Sequence, residues 1–291
     1  MGLRAHAKLN LALAVAPPEP ADGLRPGWHR VASWVHAIEL HDEVELCGAD
    51  TANDIRWASG DAVNWQPGDD LAVRALGLVD APHSVRVTKR IPTGGGLGGG
   101  SSDAGTVLRL AGAEQQLDSD QIVALGSDIP FFVDDEAGDG PPRPAIVRGF
   151  GGLVSRTPRL DRGVVLILPG IHAPTPEVYR AFDEDPGTAA AFGDRAKRIA
   201  ALASHPAIVD SDELFNDLEP AARRAVPGLG ETIDAARDAS ERLGLGPVHM
   251  TGSGSTLFLL TDSGQQYERA ENLGRLLGER PGCRVIATRL V

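Results

Sequence analysis

Pro92-Thr93-Gly94-Gly95-Gly96-Leu97-Gly98-Gly99-Gly100-Ser101-Ser102 is the stretch from which the fold is read. Six of the seven residues from Gly94 to Gly100 are glycine. A strand pattern over Ser84 to Val87 precedes it, and the apolar periodicity from Ser101 to Leu110 predicts a helix after it. Glycine lets a backbone take positive φ and approach an anion closely. A helix that starts there aims its unpaired N–H groups and the positive end of its dipole at whatever the loop holds. Strand, glycine turn and helix together predict a phosphate cradle, with the hydroxyls of Ser101 and Ser102 as further donors. A flexible linker would not sit between a strand and a helix. A Walker A loop is excluded, because Gly100 is followed by Ser101 and not by lysine. A protein-kinase loop is excluded by the absence of H-R-D and D-F-G. Gly94-x-Gly96-x-x-Gly99 fits the dinucleotide pattern, but Asp118 and Asp120 lie in a polar segment and not at the end of a second strand. The cation for a bound phosphate must come from elsewhere in the chain.

Lysine is scarce enough to point to that cation. Of 28 Lys+Arg, only Lys8, Lys89 and Lys197 are lysine. An ammonium kept where arginine is the habit suggests a use for a compact charge of tunable pKa. Lys8 begins an apolar strand pattern over Leu9 to Val15, and Lys89 directly precedes the glycine stretch. Asp128, in Gly126-Ser127-Asp128-Ile129-Pro130, reads either as the N-cap of a short helix or as a carboxylate at the edge of a site.

Composition bounds the rest. The chain has 291 residues, 42% of them hydrophobic, two cysteines and a net charge of −12. That apolar fraction excludes a disordered chain, and two cysteines exclude a disulfide scaffold. The acidic balance excludes nucleic-acid polymers and anionic membranes as partners. No apolar run approaches the roughly 20 residues of a spanning helix, and a cytoplasmic protein is expected. Extended segments are expected at Leu9 to Val15, Val31 to Leu40, Glu43 to Leu46, Val164 to Leu168, Val248 to Met250, Leu257 to Leu260 and Arg284 to Thr288. Helices are expected at Asp69 to Leu78, Pro176 to Phe182, Ala189 to Leu202 and Glu231 to Leu243. Asp134 to Pro144 reads as an exposed loop. The pattern is α+β in two lobes, residues 1–155 and 156–291.

Ala7-Lys8-Leu9-Asn10, Gly27-Trp28-His29, Pro92 to Ser102, Gly126-Ser127-Asp128-Ile129-Pro130, Pro174-Thr175-Pro176, Asn216-Asp217-Leu218-Glu219 and Thr251-Gly252-Ser253-Gly254 occur in this order. The series resembles the GHMP kinase superfamily across nearly the whole chain. The segments at 27–29, 175–176 and 216–219 resemble the branch whose alcohol substrate carries cytidine diphosphate. The resemblance implies a two-lobed GHMP kinase fold with its active site in the cleft between the lobes. It implies an ATP-dependent kinase, with Mg²⁺, that phosphorylates the 2-hydroxyl of 4-diphosphocytidyl-2-C-methyl-D-erythritol in the non-mevalonate isoprenoid pathway. By the same resemblance Lys8 and Asp128 form the catalytic pair. Pro92, Thr93, Gly94, Gly95, Gly96, Leu97, Gly98, Gly99, Gly100, Ser101 and Ser102 wrap the ATP phosphates, and Lys89 and Asp70 contact the nucleotide. Asn10 and Thr175 contact the substrate, and His29 bonds the cytosine edge. Trp28 and Tyr179 stand where the family has Tyr and Phe, and stack on the two faces of the base. Asp70 stands where the family commonly has Asn. No protein ligand of the magnesium is named by the sequence. Two rival readings are a GHMP kinase for another small alcohol, homoserine or a sugar, and a non-catalytic nucleotide-binding module. Trp28, His29 and Tyr179 disfavour the first, since a small polar substrate needs no base sandwich. Lys8 and Asp128 disfavour the second.

Overall fold

The computed structural model describes residues 2–48, 50–79, 83–113, 116–185, 187, 191–206, 209–278 and 282–291. Two long strands open the chain: β1 (Gly2–Pro18) and β2 (His29–Gly48), paired antiparallel along their length. Residues 5–16 of β1 are buried on both faces, as its near-continuous Ala, Leu and Val content dictates. The other edge of β2 is divided between two partners. Its C-terminal half pairs with β4 (His83–Lys89), which pairs in turn with the short β3 (Asp54–Trp57). Its N-terminal half pairs with β5 (Ala145–Gly149), which forms a hairpin with β6 (Leu153–Arg156). All pairings in this six-stranded sheet except β3–β4 are antiparallel. A second, four-stranded antiparallel sheet runs β10 (Arg284–Arg289), β7 (Gly163–Leu168), β9 (Leu257–Thr261), β8 (His249–Met250).

Helices cover these sheets. In the first half they are α1 (Leu71–Leu76), α2 (Gly99–Leu110), α3 (Ser119–Leu125) and α4 (Ile129–Phe132). In the second they are α5 (Thr175–Glu184), α6 (Phe192–Ser204), α7 (Glu219–Ala225), α8 (Leu229–Leu243) and α9 (Gln266–Leu277). The mixed α+β class is as the sequence predicts. The two sheets share their packing: one core cluster joins Leu9, Leu11 and Trp34 of the first to Val164, Leu166 and Phe258 of the second. Leu13 of β1 donates its N–H to Phe215, so the first strand is also tied to the helical half.

Several expected boundaries move. Val31–Leu40 and Glu43–Leu46 are one strand, because Asp42 between them is fully buried and accepts the N–H groups of Arg90 and Ile91. The helix expected from Asp69 starts at Leu71 after a short 3-10 turn, and α2 starts two residues earlier than expected. The expected start of α6 at Ala189 lies outside the described residues. The loop at 134–144 is only partly exposed. Asp134 is buried and receives two hydrogen bonds from the Arg143 guanidinium, while Arg156 donates to the carbonyls of Phe131 and Val133 at the end of α4. The loop is thereby pinned against the short helix that carries Asp128. Among the described residues no helix is long and apolar enough to cross a membrane.

Candidate active site

Residues at positions i and i+2 of a strand share a face, and β1 uses this to place Lys8 beside Asn10. The Lys8 ammonium, 4% exposed, donates to Asn10 Oδ1 at 2.5 Å and lies 3.3 Å from Asp128 Oδ2. Asp128 occupies the N-cap position of α4, yet its side chain makes no cap hydrogen bond. The carboxylate turns to Lys8 instead and stays 45% exposed. Asn10 is held on all sides: its N–H donates to Thr251 Oγ1 at 2.9 Å, its amide donates to Ser33 Oγ at 2.7 Å, and Ser33 Oγ donates to the Ala12 carbonyl.

The glycine stretch lies against this group. Gly98, with φ 71°, is the N-cap of α2. A Cβ there would lie 3.0–3.1 Å from the Lys8 side chain, so glycine lets the lysine run directly under the helix N-terminus. Gly96, with φ 75°, packs against a second glycine turn: a Cβ would lie 2.5 Å from the Thr251 carbonyl oxygen. Lys8 N–H donates to the Leu97 carbonyl, and Thr256 N–H to that of Gly95. The cradle is therefore fastened to both halves of the chain.

A cavity of about 900 Å³ opens from this point. Lys8, Asn10, Gly96, Gly98 and Asp128 line one part of it, and Trp28, His29, Thr175 and Tyr179 line another. His29 is the first residue of β2, and its Nδ1 faces the Ala16 carbonyl at 2.9 Å. Thr175 begins α5, flanked by Pro174 and Pro176, and its hydroxyl bonds Ser253 Oγ at 2.8 Å. The Tyr179 ring packs on His29 with centroids 4.9 Å apart, and burial, then the nearby Asp128, pushes its phenol upward. Trp28 is exposed and meets Phe150 edge-on at 6.2 Å.

Four expected contacts are placed differently. Lys89 is 2% exposed, and its ammonium is held by Asp42 and Asp103, both 0% exposed, so it has no free face for a nucleotide. It lies beneath the loop, 3.5 Å from where a Gly99 Cβ would stand. Burial pulls its pKa down, but the two carboxylates outweigh this and raise it. Asp70 is the N-cap of α1: its carboxylate accepts from Ala72 N–H and from Trp65 Nε1, both at 2.8 Å. The Ser102 hydroxyl points inward to the His6 carbonyl at 2.7 Å, and the Leu97 side chain belongs to the core. Ser101 stays half-buried, Thr93 is exposed, and Pro92, Gly94 and Gly100 complete the loop surface. Thr251 and Ser253 were expected only as part of a turn that the resemblance sets facing the phosphates. Ser33, Phe150 and Asp183 were not foreseen as part of the site, since the contacts join residues up to 241 positions apart.

The chain matches the N-terminal domain of the GHMP kinases over residues 70–138 and their C-terminal domain over residues 199–278. A 4-diphosphocytidyl-2-C-methyl-D-erythritol kinase of Caulobacter vibrioides is 34% identical over 279 residues, covering 91% of each chain. One of Desulfotalea psychrophila is 32% identical, covering 99% of this chain and 95% of its own. The chain belongs to the 4-diphosphocytidyl-2-C-methyl-D-erythritol kinase family of GHMP kinases. A crystal structure titled as that kinase superposes with a TM-score of 0.70 at 30% identity, over 100% of this chain and 99% of its own. The mevalonate kinase of Methanococcus jannaschii, 14% identical with a TM-score of 0.60, shares the fold of this family.

Proposed function

We propose that this protein transfers the γ-phosphate of ATP to the 2-hydroxyl of 4-diphosphocytidyl-2-C-methyl-D-erythritol, a cytoplasmic step towards isoprenoid precursors. The Lys8–Asp128 pair, set where the glycine cradle meets the cavity of Trp28, His29 and Tyr179, carries this reading. Phosphoryl transfer asks a protein for positioning and charge stabilisation more than for covalent help. Backbone N–H groups of residues 93–101, at the loop and the N-terminus of α2, hold the phosphates. Asp128 has an exposed carboxylate to accept the hydroxyl proton. Lys8 has three donors. One is bound to Asn10 and one faces Asp128, which leaves the third for the transferring group. Asn10 fixes the ammonium. At the other end Trp28 and Tyr179 flank the base, His29 bonds its edge, and Thr175 contacts the substrate.

Magnesium fits this site as an ion carried in by ATP. No cluster of three acidic, His or Cys ligands exists among the described residues. Nucleotide-bound magnesium takes most of its ligands from phosphates and water and needs only one or two protein oxygens. Ser101 at the start of α2 or Asp128 beside Lys8 would supply them. When bound, the ion neutralises charge on the phosphate oxygens. The test is incubation with ATP, magnesium and the cytidine diphosphate substrate, followed by phosphorus NMR. A new phosphomonoester resonance is expected. Turnover of homoserine or a sugar, with none of this substrate, overturns the reading.

A further inference from the structure

We propose that Ser33 is a positioning residue for phosphoryl transfer: it fixes the Asn10 amide with its oxygen towards Lys8, so that the ammonium stays shared between Asn10 and Asp128. The proposal rests on the kinase reading above. Lys8, Asn10 and Ser33 all line the cavity, yet Ser33 is only 2% exposed. It lies two residues from Val35, the partner of Asn10 in the β1–β2 register, so the two side chains share a face. The pairing slips between Asn10 and Ala12, and such a bulge re-aims the side chains beside it. A hydroxyl has one hydrogen to give. Ser33 Oγ gives it to the Ala12 carbonyl at 2.9 Å. Towards Asn10 it can then only accept, and it takes an N–H from Asn10 Nδ2 at 2.7 Å. Asn10 Oδ1 is left on the other side of the amide, where Lys8 donates to it at 2.5 Å.

Turned over, the same amide would aim N–H₂ at an ammonium, donor against donor. Lys8 would then be left to Asp128 alone, whose Oδ2 is 3.3 Å away. A tighter pair occupies the carboxylate that accepts the hydroxyl proton and draws the ammonium away from the transferring group. A displacement of about 1 Å in a reacting group costs up to about 10²-fold in rate. The Thr251 hydroxyl accepts from the Asn10 backbone at 2.9 Å and reaches Oδ1 only at 3.5 Å, so the plane of the amide depends chiefly on Ser33. A serine that merely filled the core would change stability and leave kcat alone.

Steady-state kinetics test this first. Ser33→Ala is expected to lower kcat about 10–100-fold, with KM for ATP and for the alcohol little changed. Ser33→Thr keeps the hydroxyl and should recover most of the rate. Ser33→Cys fills the same space with a weak donor and acceptor, and should be as slow as the alanine variant. In an Asn10→Ala background, Ser33→Ala should cost nothing further, because residues that share a partner are not additive. An equal loss in both backgrounds overturns the proposal, as does an unchanged kcat in Ser33→Ala or a full rate in Ser33→Cys. Amide NMR tests it without turnover. The chain has five asparagines, and the Asn10→Ala spectrum of ¹⁵N-asparagine protein assigns the Asn10 side-chain signals. In Ser33→Ala those signals are expected to move upfield and exchange faster with water, the others keeping their places. Unmoved Asn10 signals overturn the proposal. The kinase reading fails separately, if the unmodified protein forms no phosphomonoester, and the amide spectrum then decides the proposal alone.

Discussion

Lys8 and Lys89 flank the same glycine loop, are almost equally buried and each face carboxylate, yet their surroundings give them opposite tasks. Lys8 meets one carboxylate that remains half open to the cavity. Lys89 is sealed between two carboxylates that solvent does not reach. Asp42 of that group also accepts the backbone N–H groups of Arg90 and Ile91, so the cluster sets where β4 ends and the loop begins. Burial pushes the Asp103 carboxyl above the usual range, against the pull of Lys89. Exposure of the partner, and not the lysine itself, separates a group able to exchange a proton with substrate from one that anchors a loop.

Removing one carboxylate from each cluster should break this contrast or sharpen it. Asp128→Asn is expected to have the largest effect, lowering kcat about 10²–10⁴-fold with ATP binding and melting temperature nearly unchanged. Steady-state kinetics beside a melting curve check it, and a normal rate removes Asp128 as the base. Lys89→Met should do the opposite, leaving two buried carboxylates without their cation. Breaking a buried pair costs about 3–5 kcal/mol. Denaturant unfolding should show that loss, with a smaller fall in the rate of the folded fraction. Gly98→Ala joins the two effects. A Cβ at φ 71° costs about 1–2 kcal/mol and presses on Lys8, so stability and kcat should fall together.

Asp103→Asn should be the mildest change. Burial raises the folded-state pKa of Asp103 above that of the unfolded chain, which is about 4, so between the two values the folded protein holds this proton more tightly. The stability this gives is complete below that pH and is lost as the pH rises towards the folded-state pKa. The variant should lack that decline and be no less stable at pH 7. His6, His36 and His249, depressed mainly by burial to about 4, 3 and 4, give the opposite slope below pH 6.5 in both proteins. The difference between the two sets of melting temperatures over pH 4–8 therefore isolates Asp103.

What was legible in the sequence was what local chemistry determines. Six glycines between a strand and a helix, and a long apolar run after Lys8, announce their own structure. The β5–β6 hairpin was not legible, because glycine and proline around it read as a break. Asp70 and Lys89 matched family positions, but their actual partners, Trp65 and the Asp42–Asp103 pair, were invisible to any local pattern. Asp42 looked like an interruption of a strand when it is the acceptor at the end of β4. Asp183 carried no signal at all, since it reaches His29 only after α5 has docked against β2.

Gly96 rests on the carbonyl of Thr251, and Asn10 hangs from the Thr251 hydroxyl. A ribosome that stops short of Thr251 has delivered every glycine of the loop and both Lys8 and Asp128, but not the turn that holds them in place. Nascent and truncated chains would thus carry the glycine loop and the Lys8–Asp128 pair without the turn that holds them. Nucleotide binding is therefore expected only from chains that extend past Thr251.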